Sequence, residues 1–374
     1  MCFVVATPFT VNAFLLGHLA ALSDLYQVTL CVNLDLYPLS EKIDPRVSVC
    51  NIPLVRKISV LQDFRALIHL IRVFGRGRFD VVHSMTPKAG LLSMFAARLC
   101  RVPYRFHTFT GQVWATRTGT SRAFFKWIDR CIVRCSTRVF TDSDSQSRFI
   151  EREGIAKHGA VTVLGHGAIM GVDQDRFKPD TELRKKIRLS LGCSERSCVF
   201  LFVGRIARDK GVFDLMEAFS RLASERDDVA LWMVGPDEEG LQNELQQHTA
   251  EIGEKIRWLG RTFEPEHFMA AADALVLPSY REGFGMVIIE AAGCAVPTLA
   301  YRIDGVIDAV VDGETGVLVS ARDVVAFGDI MRAMAGDPAW VRKLGQGALL
   351  RVGRDFSERS VREAWLNFYK GILE

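Results

Sequence analysis

The sequence predicts an α/β protein of two doubly wound domains, and three observations carry that prediction. Short β-branched runs alternate with amphipathic stretches of roughly 10–20 residues nearly end to end. The runs fall into two series separated by one charged stretch. The length of 374 residues suits two domains, at roughly 100–200 residues for each. Alternation of this kind marks βαβ units, whose parallel sheets carry helices on both faces.

The first series of strands is expected at Phe3–Ala6, Val28–Val32, Val81–His83, Tyr104–His107, Thr137–Thr141 and Val161–Leu164. The second is expected at Val199–Val203, Ala230–Val234, Ile256–Leu259, Ala274–Leu277, Val296–Ala300 and Gly316–Val319. Residues 173–190 between them are charged, include Phe177-Lys178-Pro179-Asp180 and read as a linker. The domains are therefore expected at 1–172 and 191–356, facing each other across a cleft, and residues 357–374 as a closing amphipathic helix. In such sheets ligands bind beyond the carboxyl ends of the strands.

Composition narrows the classes. With 49% hydrophobic and 24% charged residues the chain is globular rather than disordered. No apolar run approaches the ~20 residues that cross a bilayer. The first residues enter a strand-like run with no basic region ahead of it, so no signal peptide is expected. Nine cysteines without a C-x-x-C argue against a disulfide framework or zinc site and for a reducing cytoplasm. The net charge of +3 hides an asymmetry: residues 1–172 carry 21 Lys and Arg against 11 Asp and Glu, and the remainder 26 against 33. Residues 51–150 alone hold 17 basic against 5 acidic side chains. One domain is therefore expected to face something anionic.

The most specific segment is Glu282-Gly283-Phe284-Gly285-Met286-Val287-Ile288-Ile289-Glu290, which follows the strand ending at Leu277. A helix starting near Gly285 presents orphan N–H groups to an anion, and Gly283 and Gly285 let a diphosphate approach the backbone. Glu282 lies at the helix mouth. Glu290, over a turn further on, suits a ribose diol as acceptor. The alternative is an ordinary capped helix with a solvated Glu290. A second segment, Gly204-Arg205-Ile206-Ala207-Arg208-Asp209-Lys210-Gly211, puts a forked and a point cation at another strand end, where they suit a leaving diphosphate. A basic surface turn is the competing explanation.

Together these motifs resemble family 4 glycosyltransferases of the GT-B fold, with two Rossmann-like domains, over nearly the whole chain. The matching elements are Glu282 with Glu290, Gly204 to Gly211, and Gly171-Val172-Asp173 with Arg176-Phe177. The resemblance implies that Glu282 contacts the donor sugar, Glu290 the ribose, and Arg205 and Lys210 the diphosphate. It adds Gly204, Gly235, Gly283, Phe284, Gly285, Met286 and Val287 to the donor site, and Arg261 near the base. It further implies transfer with retention, no cofactor and no obligatory metal. Val82 to Gly90 and His107 to Gly111 are similar to transferases of capsule, O-antigen and lipid-linked oligosaccharide assembly. This implies His107 beside the donor sugar, and Thr86, Lys88, Gly111 and Gln112 toward an acceptor on undecaprenyl diphosphate. One departure stands out: where many members carry Gly-Gly after the first strand, this chain reads Thr7-Pro8-Phe9.

Arg122, Lys126, Arg130 and Arg134 recur every four residues and share one broad helical face. Like charges at that spacing oppose the helix by roughly 0.2–0.5 kcal/mol each, so an anionic partner such as a leaflet is one expectation. A solvated face whose stems cover apolar neighbours is the other. Arg56, Lys57, Arg65, Arg72, Arg76 and Arg78 form a second basic cluster. Nucleic acid is not expected, for want of any nucleic-acid motif. Asp142-Ser143-Asp144 is expected to cap a helix rather than hold a metal, and Thr7-Pro8-Phe9 is incompatible with a dinucleotide fingerprint.

The expected function is a retaining hexosyl- or N-acetylhexosaminyl-type transfer from a nucleotide diphosphate sugar, UDP- or GDP-linked, to an undecaprenyl-diphosphate-linked saccharide at the inner face of the cytoplasmic membrane. Glu282, His107, Arg205 and Lys210 are the expected catalytic set. A nucleotide-sugar epimerase and a non-catalytic glycan-lipid scaffold are the alternatives.

Overall fold

A computed structural model describes residues 1–55 and 59–374. The expected basic residues Arg56 and Lys57 lie outside the described residues. The chain divides into two compact units, one of Met1–Met170 with Arg359–Glu374 and one of Gly171–Glu358.

In the first unit β1 (Cys2–Val4) leads through α1 (Pro8–Phe14) and α2 (Leu16–Ser23) to β2 (Thr29–Val32) and β3 (Ser48–Asn51). Next come α3 (Val60–Gly77), β4 (Val81–Met85), α4 (Pro87–Leu99), β5 (Tyr104–Phe109) and α5 (Gly119–Cys135). β6 (Arg138–Thr141), α6 (Asp144–Arg152) and β7 (Val161–Val163) complete the series. The strands form one seven-stranded parallel sheet in the order β3-β2-β1-β4-β5-β6-β7. The order reverses beside β1, so β1 and β4 flank the switch point where doubly wound sheets bind ligands. β3, the seventh strand, was not expected. As a mostly exposed edge strand, Ser48-Val49-Cys50-Asn51 has no buried face to write an apolar pattern.

The second unit opens with α7 (Thr181–Ser190), β8 (Cys198–Val203), α8 (Val212–Glu225), β9 (Val229–Val234), α9 (Gln242–His248) and β10 (Ile256–Gly260). α10 (Pro265–Ala271), β11 (Ala274–Leu277), α11 (Met286–Gly293), β12 (Thr298–Arg302), α12 (Val306–Ala309) and β13 (Gly316–Ser320) follow. α13 (Val324–Gly336) and α14 (Pro338–Asp355) end the unit, and α15 (Glu358–Leu373) returns to the first. The sheet order is β10-β9-β8-β11-β12-β13, all parallel, with the switch between β8 and β11. All six residues of β9 are buried, as a strand covered on both faces requires.

Residues 173–190, expected as a linker, are instead built into the second unit. Asp180 caps α7 by accepting from Leu183 N at 2.9 Å. Arg188 on that helix is fully buried and donates to Asp273 (2.5 Å) and to the carbonyls of Ala271, Ser194 and Ser197. Charge in this stretch therefore marks a buried tie. In the first unit α15 packs Trp365 and Tyr369 around His83, whose Nε2 meets Thr108 Oγ1 at 2.7 Å and whose Nδ1 meets the Tyr369 hydroxyl. Burial pushes that imidazole down to about 3, so it is neutral.

Removing Arg188 takes a donor from three carbonyls, leaving Ala271 O with Arg184 and Ser194 O with the Ser197 amide, and one of three donors from the Asp273 carboxylate. Arg188→Ala is expected to lower unfolding stability by about 2–4 kcal/mol, read as a shift of the urea midpoint at unchanged slope. A shift equivalent to under about 0.5 kcal/mol would contradict this assignment.

Candidate functional site

In the second unit the turn after β8 is pressed against the end of β11. Gly211 stands at φ +67°, and a Cβ there would lie 1.9 Å from the Pro278 carbonyl oxygen, so glycine alone fits. Tyr280 N donates to Asp209 O at 2.9 Å, and Arg281 Nη2 to Asp209 Oδ2 at 2.8 Å. Lys210 Nζ then reaches Glu282 Oε1 at 2.5 Å, with both side chains largely buried. The two motifs singled out from the sequence are thus fastened into one group. Gly211 closes one of those motifs; Asp209 and Arg281, which fasten them with it, were given no role. Their signal lay only in being neighbours of the motif residues.

Arg205 is held by carboxylates as well, with Nη1 3.0 Å from Glu238 Oε2 and Nη2 3.4 Å from Asp209. Neighbouring negative charge raises its pKa against the opposing cost of burial. Both expected diphosphate cations are therefore poised on carboxylates, which an incoming phosphate can replace through similar charge-assisted hydrogen bonds.

The glycines of this end serve the chain itself. A Cβ on Gly235 would lie 1.8 Å from the Gly204 carbonyl oxygen, and Gly235 N donates to Gly260 O at 2.8 Å. Gly204 and Gly235, expected to touch the donor, pack three strand ends together. Gly285, in the left-handed region, caps α11. Gly305, not anticipated, brings a further loop against Gly283, where an added Cβ would sit 2.6 Å from the carbonyl oxygen. In the first turn of α11 Ile288 N donates to Gly285 O at 2.8 Å, whereas the N–H groups of Met286 and Val287 have no carbonyl one turn back. Phe284 departs from expectation: its ring is buried and packs edge-on against Phe356 at 5.3 Å, which leaves its backbone for any ligand. Arg261 is exposed, its guanidinium 5.1 Å from the Phe263 ring centroid.

Glu290 is half-buried on α11. Desolvation pushes its carboxyl up to about 7; Arg176 opposes the rise and Glu266 adds to it. The solvated-surface alternative for Glu290 fails on this burial.

In the first unit His107, on β5, is fully buried. Its Nδ1 is 2.8 Å from Ser84 Oγ on β4, and its Nε2 has no partner among the described residues. Burial lowers it to about 3, so the ring is neutral at physiological pH. Gly90 makes room: a Cβ there would lie 2.4 Å from His107 Cε1. Gln112, buried, has neither amide atom paired among the described residues, and the same holds for Thr86 Oγ1. Thr86 holds φ +72°, costly for a β-branched residue. Gly111, at φ +95°, turns the chain between β5 and Gln112. Lys88, expected toward an acceptor diphosphate, is paired with Asp63 at 2.7 Å.

The basic face of α5 is also partnered. Arg122 and Lys126 converge on Glu153 Oε2 at 2.8 and 2.9 Å, and both lie over the Trp114 ring. Arg130 Nε donates to Gly154 O. Three of the four expected membrane cations thus turn inward to α6 and the loop after it, and Arg134 remains exposed. Ser143 caps α6 by accepting from Gln146 N at 3.2 Å, as expected for that segment. No cluster suited to a metal ion occurs among the described residues.

The family model described as "Glycosyl transferases group 1" matches residues 184–349, and "Glycosyl transferase 4-like domain" matches residues 10–167. The capsular polysaccharide biosynthesis glycosyltransferase CapM of Staphylococcus aureus is 29% identical over 325 residues, covering 86% of this chain and 85% of that one. The UDP-Gal:alpha-D-GlcNAc-diphosphoundecaprenol alpha-1,3-galactosyltransferase of Escherichia coli is 28% identical over 300 residues, covering 78% and 75%. A D-inositol 3-phosphate glycosyltransferase of Geodermatophilus obscurus is 32% identical over 304 residues, covering 76% and 65%. Among solved structures, sucrose-phosphate synthase from Thermosynechococcus elongatus superposes with a TM-score of 0.81 at 20% identity, covering 100% and 99%. Anabaena Alr3699/HepE in complex with UDP-glucose gives 0.79 at 17%, covering all of both chains. Two parallel sheets that each reverse strand order, with a Glu-x7-Glu helix mouth in the second, agree with both family matches. The chain belongs to the group 1 glycosyltransferases, with a glycosyl transferase 4-like N-terminal domain and the GT-B fold.

Proposed function

We propose that this glycosyltransferase moves a hexose or N-acetylhexosamine from a UDP- or GDP-linked donor to a saccharide on undecaprenyl diphosphate at the inner face of the cytoplasmic membrane. Transfer proceeds with retention and needs no metal. The observation that carries this reading is the Lys210–Glu282 pair at the mouth of α11. A diphosphate entering there meets Lys210, Arg205 and the first-turn amides, and its charge displaces the carboxylates that hold the two cations. Glu282, turned from Lys210, accepts from a sugar hydroxyl.

Charge developing on the leaving diphosphate is then stabilised by groups already oriented, the largest expected contribution to rate. The acceptor oxygen attacks from the face the diphosphate leaves, and a departing phosphate oxygen takes its proton. Neutral His107 orients the sugar through Nε2. The acceptor class rests on the names of the CapM and diphosphoundecaprenol relatives, and UDP on the neighbour bound to UDP-glucose. Several relatives are named for D-inositol 3-phosphate, which makes that phosphate the competing acceptor. An epimerase is distinguished by turnover without acceptor.

A thermal-shift panel of UDP- and GDP-sugars followed by transfer to each acceptor tests the reading. It predicts stabilisation by one nucleotide class and a product of unchanged anomeric configuration on the undecaprenyl-linked saccharide. Lys210→Met is expected to lower kcat/KM by roughly 10²–10³. Isomerised donor without acceptor, or transfer to inositol phosphate alone, would contradict it.

Glu290 gives a pH test. Its ionised carboxylate accepts from both ribose hydroxyls, and the form present below about 7 has lost one such acceptor. UDP or GDP affinity is therefore expected to tighten as pH rises through about 7 in the wild type and to stay flat in Glu290→Gln, measured by calorimetry. Parallel profiles for the two proteins would remove Glu290 from the ribose site.

A further inference from the structure

We propose that the outward face of α3, α4 and α5 docks on a phospholipid leaflet with anionic headgroups. α4 packs between α3 and α5, and Asp63 and Lys88 tie the first turns of α3 and α4 together. On these helices Leu61, Phe64, Phe95, Leu99, Phe124 and Trp127 are between 45% and 75% exposed. Phe124 and Trp127 stack on each other with ring centroids 6.3 Å apart. Six large exposed apolar side chains spread along one helical layer, two of them stacked, exceed the single exposed residues normal for a surface.

Charge selects the occupant. Residues 60–135 contain 13 Lys and Arg against Asp63, Asp80 and Asp129. Asp63 is spent on Lys88, and Asp129 lies buried against Trp114 Nε1 at 2.6 Å. Arg65, Arg72, Arg76, Arg98 and Arg134 are exposed. Aromatic and leucine side chains among arginines, with almost no carboxylate, match the acyl boundary and phosphate layer of an anionic leaflet. Three cations expected to serve this purpose face Glu153 and Gly154 instead, so the contact is made by the aromatic side of α5. No described helix is long and apolar enough to cross a membrane, and the mode is interfacial.

Each of the three helices follows one parallel strand and leads to the next in sequence, α4 and α5 between neighbouring strands and α3 from β3 across to β4, so they run in one direction. Their first turns lie at the carboxyl end of the strands, where Thr86, Lys88 and Gln112 also stand. A leaflet against this face therefore meets the end of the unit assigned to the acceptor. That correspondence rests on the lipid-linked acceptor proposed above; the docking surface itself is tested without turnover.

The test is flotation of the full chain with vesicles of phosphatidylcholine alone or of equimolar phosphatidylcholine and phosphatidylglycerol. Phe124→Ser with Trp127→Ser removes the apolar contact, and Arg65→Glu with Arg72→Glu and Arg76→Glu removes the charge. All these residues are exposed, and unchanged melting temperature and UDP or GDP binding confirm the fold and the donor site. The expected result is preferential binding to the anionic vesicles, falling at least about tenfold in each variant and with added salt. No vesicle binding by the wild type, or equal binding by wild type and variants, would overturn the proposal. So would a wild-type dimer that the Phe124/Trp127 variant dissociates, with no vesicle binding, since the face would then join two copies. Vesicle binding without transfer to an undecaprenyl-linked acceptor would instead refute the acceptor assignment and leave the docking face standing.

Discussion

The backbone of Gly211 lies against the carbonyl of Pro278, and the charged groups of the second unit take their places from that contact. A side chain at Gly211 would part the turn after β8 from the end of β11. Asp209 would lose the Tyr280 amide and Arg281, and Lys210 would lose Glu282. The group is costly to hold together in the absence of ligand, because like and unlike charges are partly withdrawn from water. It persists because each cation has a carboxylate and the loops share backbone hydrogen bonds, so desolvation is compensated where it occurs. That arrangement suits a site that exchanges carboxylates for phosphates: the backbone geometry exists before the ligand, and binding changes side-chain partners only.

The first unit solves a different problem. A buried histidine must stay neutral and keep one nitrogen available. Ser84 engages Nδ1, Gly90 leaves space for the ring, and burial suppresses protonation. The strained Thr86 and the two ends of Gln112, unpaired among the described residues, lie in the segments that continue β4 and β5, at the carboxyl end of the sheet. Buried polar atoms without partners among the described residues carry a desolvation cost, and they collect at one end of the strands.

Much of this was legible in the sequence where local pattern and function coincide. Buried parallel strands write continuous apolar runs, so β8, β9 and β11 could be placed within a residue or so. The Glu-x7-Glu and Gly-Arg-x4-Lys-Gly segments named the partners that meet in Lys210 and Glu282. β12 begins two residues later than expected because Pro297 carries no amide to give the ladder. Failures came where a partner lies far along the chain. The charges of α7 could not reveal Asp273, more than eighty residues away. The stripe on α5 looked like a surface because Glu153, on the segment after α6, was invisible to helical periodicity. Edge strand β3 carried no apolar alternation at all.

The central claim, that the fastened loops of the second unit form the diphosphate anchor of a sugar donor, is tested most directly by a crystal structure with an intact nucleotide sugar. The account predicts Lys210 Nζ and Arg205 within hydrogen-bond distance of diphosphate oxygens, and Glu282 turned from Lys210 to a sugar hydroxyl. A nucleotide bound elsewhere, with the Lys210–Glu282 pair intact beside empty solvent, would contradict it.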